Sequence, residues 1–234
     1  MTRVSSGIDL QTSFSRYEIK MVFNGLQTDL VRSLVIGHSQ LFKKAFPSRQ
    51  VNNIYFDTED FQLRDAHIQG NNSRFKIRHR WYHDTWKFFD SQLEIKSKSG
   101  NLGTKVVFPI PLKIDLTSTS WNGLLTKIRP FINQEYQHIF LNTRPVLINY
   151  YQREYFESAD QLIRITLDSR INSISQVFNG RPDLLRKKPY RNTCIMEIKA
   201  DSAYHQEIAS VLAEFPQYCT AYSKYIHGTE TLPT

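Results

Sequence analysis

Arg74, Lys76, Arg78 and Arg80 occupy alternate positions of one stretch, with Phe75, Ile77 and Trp81 on the intervening ones. Strict alternation is the period-2 pattern of a β-strand with two unlike faces. The basic face repeats a cation about every 6.6 Å. Neighbouring charges at that spacing repel by roughly 0.6 kcal/mol in water and about 2.5 kcal/mol at an effective dielectric of 20. Such a face either stays in water or meets a polyanion.

The pattern recurs. Glu18 with Lys20, Glu94 with Lys96 and Lys98, Arg164 with Asp168, and Glu197 with Lys199 each share one face of a strand whose other face is apolar. Arg153 stands on a further face with Asn149, Tyr151 and Tyr155. Arginine can hold phosphate oxygens bidentately and lysine holds them as a point charge. The carboxylates Glu18, Glu94, Asp168 and Glu197 admit two readings. They are salt-bridge partners within the basic face, or ligands to a hard divalent ion that bridges phosphate oxygens. Glu197 has the best local case for the metal, because Lys199 shares its face. Phosphoryl transfer would need no nucleophilic side chain, only positioning and charge neutralisation. The histidines are scattered and none is assigned to catalysis; His79 and His83 read as lumen or loop residues.

These faces have to be carried by particular elements. Strands are expected over residues 15–23, 51–57, 74–82, 88–98, 105–112, 147–156, 162–168 and 193–199. Pro109 and Pro111 suit an edge or an exit from a sheet. Helical spacing appears at 26–35, at 124–132 and at 205–215, with Pro130 dividing the middle stretch and a short helical turn near Phe61 and Leu63. Gly100 to Gly103 reads as a hairpin loop, and 179–191 as a basic loop. The apolar strand faces could form the inside of a small barrel. The amphipathic helices argue for the inverse, a wide antiparallel barrel with helices on its apolar exterior and a charged lumen.

Composition agrees with an anionic ligand. The chain has 234 residues and a formal charge of +8, with a pI near 9.4. Its 40% hydrophobic content indicates a globular fold with a real core. Cys194 and Cys219 make neither a disulfide framework nor a metal motif, which suits a reducing, cytoplasmic setting. Met1 to Leu10 has no apolar signal region, and no run is long enough to span a membrane. No linker, repeat or low-complexity tract divides the chain, so one domain over residues 1–234 is expected.

Several pieces stand in an order that resembles a known family. They are Arg16-Tyr17-Glu18-Ile19-Lys20, Ile54 to Asp57, Lys76 to Tyr82, Leu93 to Lys96, Arg153, Ile163 to Asp168, Met196 to Lys199 and Tyr222 to Gly228. The set resembles VTC-type polyphosphate polymerase domains of the triphosphate tunnel metalloenzyme superfamily. That resemblance implies an eight-stranded antiparallel tunnel that binds ATP or another triphosphate with Mn²⁺ or Mg²⁺. It also implies transfer of the γ-phosphoryl group to polyphosphate. By position, Lys20, Arg78, Arg80, Lys96, Lys105, Arg153, Arg164, Lys199 and Lys224 would bind phosphates, and Glu197 would bind the metal. Arg78, Arg80, Lys96, Arg164 and Glu197 form the implied catalytic set. Two positions depart from the pattern. Arg16 replaces one acidic residue of the superfamily's Glu-x-Glu-x-Lys opening, which points away from a two-metal triphosphatase. Ala221 replaces a second tail lysine.

Three other readings remain open: a polyphosphate or nucleotide sensor, an inorganic triphosphatase of the same fold, and a nucleic-acid binder. The last fits less well, because the basic strand lacks RRM-type glycines and its aromatics lie opposite the cations. No specific nucleic acid is therefore expected as a partner, and any membrane association would be peripheral.

Overall fold

A computed structural model describes residues 16–100, 102–177 and 179–230, excluding the side chains of Arg16 and Leu102. Ser15, the expected start of the first strand, and Asn101 of the expected hairpin loop lie outside the described residues.

The chain runs β1 (Arg16–Asn24), α1 (Thr28–Ile36), β2 (Lys43–Asp57), α2 (Gln62–Ile68) and β3 (Ser73–Tyr82). It continues through β4 (Lys87–Phe88), β5 (Ser91–Ser99), β6 (Leu102–Ile110), β7 (Ile114–Asp115), α3 (Trp121–Ile128) and α4 (Gln134–Leu141). The remainder is β8 (Arg144–Glu157), β9 (Ile163–Ser175), β10 (Lys188–Pro189), β11 (Thr193–Asp201), α5 (His205–Ala213) and α6 (Lys224–Glu230). The large sheet is antiparallel, with strands in the order β1-β11-β9-β8-β2-β3-β5-β6. Among the described residues hydrogen bonds do not close this path. β6, which carries Pro109, is its last strand, as the missing proline N–H demands of an edge.

By internal contact the chain forms two compact units. The Glu94 unit comprises Asn53–Ile148 and Ser175–Leu184. The Asp168 unit comprises residues 16–52, Asn149–Ile174 and residues 185–230.

In the Asp168 unit, the odd positions of β1 and β9 and the even ones of β11 form one continuous apolar face. Met21, Phe23, Ile163, Ile165, Leu167, Cys194, Met196 and Ile198 pack there against Val31 and Val35 of α1 and Ile208 and Val211 of α5. The helices cover the greasy side, as the helical spacing required. Arg32 of α1 reaches β8 with both Nε and Nη2 at 2.7 Å from the carboxylate of Glu154. The free edge of β1 is covered by the tail: Thr220 N–H donates to the Lys20 carbonyl at 2.8 Å, and Met21 bridges Cys219. This leads the chain round to α6.

In the Glu94 unit, Ile77 faces Ile95 and Leu93 faces Phe108 across β3, β5 and β6. Phe140 of α4 meets Phe56 with ring centroids 5.3 Å apart, and Tyr136 meets Phe108 at 5.7 Å. Ser120 accepts the Gly123 N–H at 3.1 Å and starts α3. Pro130 lies in the 3₁₀ turn that separates α3 from α4, where its ring ends the first helix.

Three expectations are corrected. The strand expected over 88–98 is broken, because Asp90 takes a left-handed conformation (φ 56°) and Phe88 joins β4, paired with β7. β2 starts at Lys43 rather than Val51; its first half is exposed and polar, so hydrophobic periodicity did not mark it. His79 belongs to the apolar face, not a lumen. Its Nε2 lies 2.7 Å from Ser91 Oγ, and its ring packs edge-on to Phe88 at 5.7 Å. Burial there pulls its pKa down to about 3, so it is neutral.

Candidate functional site

Each unit turns one charged sheet face away from its apolar side. In the Asp168 unit the strand register sets the charges in rows. Thr166, Glu197 and Lys20 lie side by side on β9, β11 and β1, and Arg164, Lys199 and Glu18 form the next row.

Asp168 is fully buried, and three donors converge on it. Arg153 Nε lies 2.5 Å from Oδ1 and Nη2 lies 2.6 Å from Oδ2, while Lys224 Nζ lies 2.5 Å from Oδ2. Tyr151 lies beneath both cations, its ring centroid 5.3 Å from the Arg153 guanidinium carbon and 4.6 Å from Lys224 Nζ. Glu197 accepts Lys199 Nζ at 2.7 Å, with Arg153 Nη2 at 3.7 Å. Lys20 Nζ sits 2.9 Å from Glu18.

The electrostatics keep Asp168, Glu197 and Arg153 charged. Burial would raise the Asp168 carboxyl, but Arg153 and Lys224 together hold it below its ordinary value. Burial acts on Glu197 in the same sense, and Lys199, Arg153 and Lys20 outweigh it, so that carboxyl lies well below the usual range. For Arg153 burial opposes the charge, yet Asp168 more than restores it.

The Glu94 unit repeats the device. Fully buried Glu94 accepts Arg78 Nε at 2.8 Å and Nη2 at 2.5 Å, with Lys105 Nζ at 3.1 Å and Arg80 Nη1 at 3.6 Å. Gln92 adds an amide donor at 2.8 Å, and Arg80 Nε donates to Asn53 Oδ1 at 2.9 Å. Burial would raise Glu94, and the three cations hold it far below the ordinary carboxylate range. The next row out is basic throughout: Lys76 faces Lys96, which faces Lys105.

The expected site residues therefore divide by unit. Arg78, Arg80, Lys96 and Lys105 share the Glu94 face. Lys20, Arg153, Arg164, Lys199, Lys224 and Glu197 share the Asp168 face. Tyr151, Asn53 and Gln92 were not singled out from the sequence as site residues. For Tyr151 a signal existed, since it stands two residues before Arg153 on one strand face.

Among the described residues no cluster of three or more His, Cys, Asp or Glu side chains could hold a metal ion. Glu94 and Asp168 each accept hydrogen bonds from cations, as Glu197 does from Lys199. Glu197 has Glu18 diagonal to it one row away. A Mg²⁺-like ion is ordinarily held by one or two carboxylates plus substrate phosphates. The donor set fits an ion that arrives with a phosphate ligand, and does not fit one caged by protein alone.

The VTC domain family matches residues 15–233. The chain belongs to that family. No curated protein sequence matches it. Among solved structures, a Pyrococcus horikoshii protein is 13% identical, with TM-score 0.46, covering 92% of this chain and 96% of its own. A Hippeastrum protein proposed as an adenylyl cyclase, and described as revealing a dominant triphosphatase activity, is 14% identical. Its TM-score is 0.49, and the match covers 92% of this chain and 96% of that one. A Bacillus halodurans protein proposed as an adenylate cyclase is 15% identical with TM-score 0.49, over 91% of this chain and 98% of its own.

In this VTC domain the pieces quoted above fall on β1, β2, β3, β5, β8, β9 and β11, except Tyr222 to Gly228, which runs into α6. Among the described residues no helix is long and apolar enough to cross a membrane.

Proposed function

We propose that this VTC domain binds a nucleoside triphosphate on its basic faces and transfers the γ-phosphoryl group to a polyphosphate chain. The observation that carries the reading is the pair of buried carboxylates. Asp168 and Glu94 hold Arg153, Lys224, Arg78 and Lys105 in place before any ligand arrives. Preorganised cations stabilise the charge spread over phosphate oxygens in the transition state without reorganising.

In the reaction, a terminal oxygen of polyphosphate attacks the γ-phosphorus, the bond to the β-phosphate oxygen breaks, and nucleoside diphosphate leaves. Arg153 and Lys224 would neutralise the transferring group, and Arg78, Arg80 and Lys105 of the Glu94 unit would hold phosphate charge. Lys20, Lys96, Arg164 and Lys199 would hold the remaining phosphate charge. Glu197 would hold a Mn²⁺ or Mg²⁺ ion, which would offset the negative charge of the phosphates.

Ala221, where the family pattern has a second lysine, favours one alternative: a domain that binds the same ligands without turning them over. Incubation with ATP and Mn²⁺, followed by separation of long polyphosphate from orthophosphate, decides. Polyphosphate with ADP is the expected product. Orthophosphate alone would make the domain a triphosphatase. Binding with no product would make it a sensor.

A further inference from the structure

On β8 the residue after the next from Arg153, on the same sheet face, is Tyr155. That is one two-residue step, about 6.7 Å along the strand. Arg49 of β2 meets it at the hydroxyl end: Arg49 Nε donates to the Tyr155 hydroxyl at 2.8 Å, and the guanidinium carbon lies 5.1 Å from the ring centroid. Phe46 meets the same ring edge-on at 5.9 Å and 89°, and stays 63% exposed. Phe46 is thus held beside the arginine–tyrosine pair and left largely in water.

Tyr155 stands on the charged face, two residues from Arg153 on β8. Ser158 N–H bonds to the Ile163 carbonyl at the β8–β9 turn, and Ala159 N–H bonds to the Gln40 carbonyl beside the start of β2. Phe46, Arg49 and Tyr155 therefore stand at the turn end, with Arg164. Exposure rises in that direction: the Arg153 and Lys224 side chains are 12% and 10% exposed, Lys199 is 42% exposed, and Arg164 is exposed. A triphosphate with its terminal phosphate at the buried end would carry any attached group out to the turn end.

We infer that Phe46, Arg49 and Tyr155 form a stacking subsite for the base of a nucleoside triphosphate. Flat aromatic and guanidinium surfaces accept the π-face of any base, so the subsite favours nucleoside over inorganic triphosphate without strong choice among bases. It has meaning only if the triphosphate reading of this face holds, and the two can fail separately.

The test compares ATP and inorganic tripolyphosphate, each with Mg²⁺, by calorimetric titration into the wild-type domain, Phe46→Ala and Phe46→Trp. Phe46→Ala should weaken ATP binding about tenfold and leave tripolyphosphate binding unchanged, while Phe46→Trp should keep ATP affinity. Because Phe46 is exposed, the alanine variant folds. Tripolyphosphate failing to bind the wild-type domain would overturn the triphosphate reading and the subsite with it. Tripolyphosphate binding normally, with ATP affinity insensitive to Phe46→Ala, would overturn the subsite alone. So would equal loss for both ligands, or a Phe46→Ala change in oligomeric state with ATP affinity unchanged, which would make Phe46 a contact between copies.

Discussion

Arg153 and Asp168 meet fork to fork, two N–H donors on two carboxylate oxygens at 2.5 and 2.6 Å, with the carboxylate fully buried. The pair is 15 residues apart in sequence and joins neighbouring strands. Its geometry separates two kinds of cation on the charged faces. Arg153, Lys224 and Arg78 are held by buried acids and belong to the structure as well as to the site. Arg164 lies exposed on the same face as Arg153, in the row of Lys199 and Glu18.

Removing a buried counterion should unfold more than it disarms. Asp168→Asn leaves Arg153 and Lys224 buried without the carboxylate they share, a change that typically costs about 3–5 kcal/mol. The thermal midpoint should drop by roughly 10 °C. Thermal denaturation followed by circular dichroism checks this, and an unchanged midpoint would show that the pair is not formed in solution. Glu94→Gln should behave in the same way.

Arg164→Ala isolates ligand binding from folding. It should leave the melting temperature within about 1–2 °C, since the side chain is exposed. Triphosphate affinity should fall about tenfold, for one lost charge-assisted contact. Added salt should weaken the wild-type interaction further. Arg78→Ala is a poorer probe, because it leaves Glu94 without its closest partner; a melting curve beside the titration would separate its two effects.

Glu197→Gln tests the metal. It keeps the size of the side chain and removes its charge, so the cations around it still attract triphosphate. Phosphoryl transfer measured as ADP release should fall about a hundredfold, the loss of one strong transition-state contact, with ATP affinity retained. Wild-type turnover in this variant would reassign the metal to another ligand.

The pH dependence of stability should have two stages. His79 is neutral in the fold with its pKa near 3 and ordinary when unfolded, so the unfolded state binds more protons below about pH 6.5. Stability is therefore full above that value and falls as pH drops through it. Glu94, Asp168 and Glu197 are depressed in the fold, so their contribution begins to disappear below about pH 4. Urea titrations between about pH 7.5 and 2.5 should show both stages, and His79→Phe should reduce the first, leaving the share of His67, whose pKa burial also lowers to about 4.

Much of the architecture is written in local pattern. The alternation Arg74 to Trp81 sets strand β3, because a two-residue period admits one assignment of faces. The same logic placed Glu18, Lys20, Arg164, Glu197 and Lys199 on one charged side, opposite Ile165, Met196 and Ile198. Helical spacing at Val31 and Val35, and at Ile208 and Val211, showed which surfaces had to cover the apolar side. Pro130 divides the middle helices by its own stereochemistry. Where a segment lacked periodicity, as in Lys43 to Arg49 of β2, the sequence was silent, since an exposed strand half buries nothing. His79 was misread because a buried histidine and a lumen histidine are the same letter; only its neighbours Phe88 and Ser91 tell them apart.

What tertiary structure alone decided is who partners whom. Alternation puts Asp168 and Glu94 among cations, but it leaves salt bridge and metal ligand equally open. Distance supplies the cationic partners: Lys224 arrives from 56 residues away, on a tail that first runs along β1. Asn53 reaches Arg80 from 27 residues away. Such pairings depend on strand register and on the path of the chain between elements. Local propensity contains neither, because both come from burying all the apolar faces at once.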